Sequence, residues 1–107
     1  MSTKFGSRLN RYLIERRLTR VRNSLERLKS ELLVVNEQLV VFDDIEQDTR
    51  IDAVVLDAPL PKHEFDEASR SMKAMALSRD RIIAEIGHLE KKQDELFKQW
   101  SSQAKFD

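Results

Sequence analysis

Nine positions constrain this chain more than anything else in it. Ile14, Leu18, Val21, Leu25, Leu28, Leu32, Val35, Leu39 and Phe42 follow one another at alternating steps of four and three, and none of them is polar. Four heptads of unbroken a/d pattern specify a helix that packs one apolar ribbon against another helix. Residues 8 to about 48 contain no Gly or Pro. At about 1.5 Å per residue, such a helix is roughly 60 Å long.

A second ribbon follows. Phe65, Ala68, Met72, Met75, Arg79, Ile82, Ile86, Leu89, Gln93, Leu96 and Trp100 keep the same spacing, with Arg79 and Gln93 as its polar members. A polar seam residue lowers stability and fixes register or partner choice. For Arg79 the simpler reading is a stem that packs while the head reaches water. Between the ribbons lies Asp57-Ala58-Pro59-Leu60-Pro61. Each proline removes a backbone donor and biases its predecessor away from helical geometry. The chain should reverse here and pair its ribbons antiparallel. The expected fold is all-α, an antiparallel two-helix coiled-coil hairpin forming a single domain. Helix 1 spans about 8–48, the linker 49–61 and helix 2 about 62–103. Residues 51–56 are too apolar for a free loop, so a short extra helix or turn is expected before the prolines. Two registers fit: Phe42 beside Phe65 puts Ile14 near Gln93, and Phe42 beside Met72 puts it near Trp100. Gly87, inside helix 2, reads either as a close approach of another helix or as a tolerated accident.

Leu33, Val34, Val40 and Val41 fall at b and c positions, off the seam. Either residues 51–60 fold back over them or a second molecule covers them. The favoured reading is a homodimer, with this strip as its interface.

Charge is as uneven as hydropathy. The 19 Lys/Arg balance the 19 Asp/Glu, yet residues 1–31 carry +6, residues 32–67 carry −8 and residues 68–107 carry +2. Folded as a hairpin, the chain gathers Asp43, Asp44, Glu46, Asp48, Asp52 and Asp57 at a closed acidic tip. Arg8, Arg11, Arg16, Arg17, Arg20 and Arg22 gather at the open end, with Phe5, Tyr12, Phe97, Trp100 and Phe106. Arginines beside aromatics suit nucleic acid. Plugging the open end explains the same aromatics, so nucleic acid is not the favoured partner. Acidic coiled-coil tips of this kind resemble those of the Gre transcript-cleavage factors. Their Asp-Leu-x-Glu-Asn signature is absent here, and fold analogy is a weak warrant for function.

Catalytic chemistry finds no foothold. There is no Gly-x-Ser-x-Gly, and two glycines, Gly6 and Gly87, make no phosphate loop. His63 and His88 lack metal-ligand spacing, cysteine is absent, and the run at 43–48 has no glycine at the turn an EF-hand needs. No catalytic residue, metal or cofactor is expected. With 36% charged residues, no signal-peptide core and no membrane-length apolar run, the expectation is a soluble cytoplasmic protein.

The segment Asp48 to Pro61 is similar to a short actinobacterial family of predicted coiled-coil hairpins of unknown function. Those carry an Arg-Leu-x-Ala-Leu-Val…Thr-Pro-Leu-Ala linker. Arg50, Ala53, Val55, Pro59 and Leu60 match it, Ile51 and Val54 are conservative departures, and Ala58 and Pro61 depart further. The resemblance implies a bacterial cytoplasmic protein and no established activity. The residues together predict a non-enzymatic scaffold or adaptor that binds itself and an unknown protein, without a membrane. The alternative is an accessory factor docking on RNA polymerase or the ribosome through its basic end or acidic tip.

Overall fold

A computed structural model describes the backbone of residues 2–57 and 62–105, and the side chains of 6–57 and 66–103. Within these residues the chain is two helices, α1 (Ser2–Val55, 54 residues) and α2 (Lys62–Lys105, 44 residues). The fold is an all-α two-helix hairpin. Ala58, Pro59, Leu60, Pro61 and Phe106, and the side chains of Phe5, His63 and Phe65, lie outside what is described.

Helix α1 is longer at both ends than its breaker-free run. Gly6 does not stop it, and residues 49–55 continue it instead of forming a linker. The physical reason is that nothing before Ala58 disfavours helical geometry. The i,i+4 pair of Glu46 with Arg50 at 2.7 Å also supports the helix here, and the Thr49 hydroxyl finds its acceptor on the Ile45 carbonyl at 2.8 Å. The expected turn before the prolines is at Leu56-Asp57. Asp57 adopts φ of 49°, in the left-handed region, and its amide donates to the Val54 carbonyl at 3.4 Å. A left-handed residue satisfying a late carbonyl is a common way to end a helix, though glycine usually fills the position.

The chain divides into two compact units, residues 1–29 with 84–107, and residues 30–83. In the first unit the start of α1 runs antiparallel to the end of α2. Ile14, Val21, Leu25, Leu28, Ile86 and Leu96 are buried there, each no more than 8% exposed. All six belong to the two ribbons. Leu18, Leu89, Gln93 and Trp100 complete this seam, half-buried. The Trp100 indole N–H donates to Glu15 at 3.0 Å, which sets Ile14 level with Trp100 and excludes, in this unit, the register that placed it near Gln93.

The second unit uses the same ribbons less completely. Leu32, Val35, Leu39, Phe42, Ala68, Met72, Met75, Arg79 and Ile82 are all half-buried, and no described residue of this unit is fully buried. Arg79 turns its head along its own helix to Asp80 at 3.3 Å while its stem stays in the seam. This is the behaviour of a long cationic side chain at an apolar margin.

Gly87 is not a point of close approach. A Cβ built on it meets nothing within 4 Å. It therefore costs helix stability without serving packing inside the chain. Gly87→Ala should stabilise the protein by about 0.5–1 kcal/mol in chemical denaturation; a loss of stability would mean that something outside the chain packs on Gly87. Leu28→Asp, at a site 4% exposed, should cost about 3 kcal/mol or more and lower the melting temperature by about 12 °C or more. Unchanged helicity and melting by circular dichroism would refute the seam.

Candidate interaction surfaces

Among the described residues no three His, Asp or Glu side chains converge as metal ligands, and no helix is long and apolar enough to cross a membrane. What the hairpin presents is surface, and it comes in three parts.

The first is the aromatic end of the basic unit. Helix α1 places Arg11 and Glu15 one turn apart, so both meet Trp100 arriving on α2. The Arg11 guanidinium lies 4.4 Å from the Trp100 ring centroid, and its Nε is 4.0 Å from the Glu15 carboxylate that accepts the indole N–H. Arg11 is half-buried as a result. One turn on, Arg16 donates to the Tyr12 hydroxyl at 3.2 Å and stands 6.0 Å from its ring. That hydrogen bond pushes the Arg16 pKa further above its ordinary value. Arg11 and Arg16 are thus engaged by rings of their own chain, and the Trp100 face is covered by a cation, not open as a stacking platform. Arg8, Arg17, Arg20 and Arg22 remain exposed. Arg17 and Arg20 flank a shallow groove with Lys92, Glu95 and Gln99, so a carboxylate stands within this basic set.

The second part is acidic. Asp43, Asp44, Asp48, Asp52 and Asp57 are exposed in the second unit. Glu46 departs from the expected cluster. It falls at the next a position of the heptad, its side chain is 25% exposed, and it pairs with Arg50. Asp43 accepts from Gln47 at 3.1 Å. Among the described residues, none of Asp44, Asp48 and Asp52 has an ion-pair partner.

The third part is apolar. Leu33, Val34, Val40 and Val41 are exposed at 62%, 50%, 62% and 55%. Residues 51–55 cannot cover them, because they continue the same helix. Instead they lengthen the strip: Ile51, Val54 and Val55 are 60%, 80% and 74% exposed and fall at f, b and c positions. Sequence reasoning treated these three as a cover and so missed them as surface. The f-b-c recurrence past Phe42 was the signal that could have found them. Ile45, Leu77 and Ile83 are also exposed. Helix α1 thus carries apolar residues on opposed sides in this unit, the seam and the outer face. A helix of that kind is normally covered on both.

No family model, curated protein or solved structure matches the chain.

The Arg11–Trp100–Glu15 cluster separates ring packing from hydrogen bonding. Trp100→Phe keeps an aromatic ring under Arg11 and removes the donor to Glu15, and should cost about 1 kcal/mol. Trp100→Ala removes both and should cost about 3 kcal/mol. Equal losses in urea titrations would show that the ring contributes nothing beyond its N–H.

Proposed function

We propose that this protein is a non-enzymatic coiled-coil scaffold or adaptor that self-associates and presents the surfaces of its hairpin to another protein. The observation that carries this reading is the exposed b/c strip of α1. Leu33, Val34, Val40 and Val41 sit half or more in water on a helix whose opposite side already supplies the seam. Scattered surface hydrophobes need no explanation, but seven recur at b, c and f positions of one helical face from Leu33 to Val55, interspersed with Glu37, Asp44 and Asp48, and apolar surface with a polar surround marks interaction sites. The linker resemblance around Arg50, Ala53 and Pro59 supports a bacterial cytoplasmic setting for the same reading.

A second reading keeps the charge and drops the self-association. The exposed Arg17, Arg20 and Arg22, or the exposed aspartates of residues 43–57, would dock on RNA polymerase or the ribosome. The contact of Arg11 with Trp100 weighs against open nucleic-acid binding there, because it occupies one arginine of the six and one face of the indole.

Light scattering after gel filtration, at about 0.1 M salt, tests the reading. The unaltered chain should have twice the chain mass, and Val34→Lys with Val41→Lys should run as a monomer with helicity retained. A wild-type monomer across the accessible concentration range would sink the scaffold reading. Salt-sensitive RNA binding by that monomer would favour the second.

A further inference from the structure

The two compact units carry opposite charge of equal size. The unit of residues 1–29 with 84–107 has thirteen Lys/Arg against seven Asp/Glu, a formal +6, and the unit of residues 30–83 has six against twelve, a formal −6. The same split runs along the face of α1 that the seam leaves in water. At b, c and f positions the first unit presents Leu9, Tyr12, Leu13, Arg16, Arg20 and Arg27, with Glu26 its one acid. The equivalent positions of the second unit present the apolar strip from Leu33 to Val55 with Glu37, Asp44 and Asp48, and no Lys or Arg.

This charge order does little for α1 itself. The macrodipole acts only within the end turns, where no acid stands in the first turn, no base in the last, and Asp52 in the last turn opposes it.

We infer that the occupant of the acidic, apolar face of α1 in one copy is the basic face of α1 in a second copy, so that the chains associate antiparallel, basic unit on acidic unit. The inference rests on the scaffold reading and goes beyond it by fixing orientation and partner surface. Like-oriented association would set Arg16 and Arg20 against their own copies and Asp44 and Asp48 against theirs, an arrangement that like-charge repulsion disfavours. In the antiparallel pair, Leu9, Tyr12 and Leu13 bring apolar surface to the strip, and Arg16 and Arg20 meet carboxylates that have no ion-pair partner among the described residues. The surface then has an apolar centre for affinity and charged margins for orientation, which is the usual division of labour in an interface.

A charge-swap experiment tests this. One variant carries Arg16→Glu and Arg20→Glu, the other Asp44→Lys and Asp48→Lys; all four sites are exposed, so both should fold. Each variant alone should lose self-association by about tenfold or more in sedimentation equilibrium at about 0.1 M salt. An equimolar mixture should recover it as a heterodimer, because each basic unit then faces an acidic one. Raising salt to about 0.5 M should weaken the wild-type pair. If the wild type dimerises and both variants dimerise equally well, the antiparallel arrangement is wrong while the scaffold reading stands. If each variant dissociates but the mixture stays monomeric, the arrangement is likewise wrong. If the wild type is itself monomeric, the scaffold reading fails first. Circular dichroism of each variant separates lost association from lost folding.

Discussion

The packing of two apolar ribbons, one per helix, is the constraint on which the rest depends. A helix of 54 residues with few long-range polar contacts has little to hold it except the side chains it buries. The six buried residues, Ile14 to Leu28 on α1 with Ile86 and Leu96 on α2, supply that in the first unit. Every surface described above is defined by what the seam leaves over: the basic positions, the aspartates and the b/c/f strip lie where they do because a and d face inward.

The core of the seam was legible in the sequence. On α1 an alternation of three and four with no polar member admits one helical face, and every described residue of both ribbons is buried or half-buried. The seam also extends past the uninterrupted run, and there it was harder to read. Arg11 and Glu46 occupy a positions at either end of the apolar core, where they pair with Trp100 and Arg50. Charged residues in those places interrupt the pattern on paper while continuing it in space, since a long side chain can pack its stem and carry its charge to the edge.

The helix boundary failed for a related reason. Residues 49–55 look like a linker because they combine charge, apolar residues and two nearby prolines. None of this breaks a helix; only a proline or a backbone in the left-handed region does, and the first of these is Asp57. Extending α1 to Val55 takes residues 51–55 out of the segment expected to cover Val34 and Val41 and makes Ile51, Val54 and Val55 more of the same exposed face. Register illustrates the opposite case. Heptad spacing allows two solutions seven residues apart, and the contact between Trp100 and Glu15 in the first unit selects one.

Burial is distributed unevenly between the units: the first holds all six buried hydrophobic residues among those described, and the second holds none. Local opening is easiest where few apolar contacts resist it. The second unit therefore opens at lower cost than the first, so the α1 segment from Leu33 to Val55 loses its protection against hydrogen exchange and proteolysis before the seam around Leu25 does.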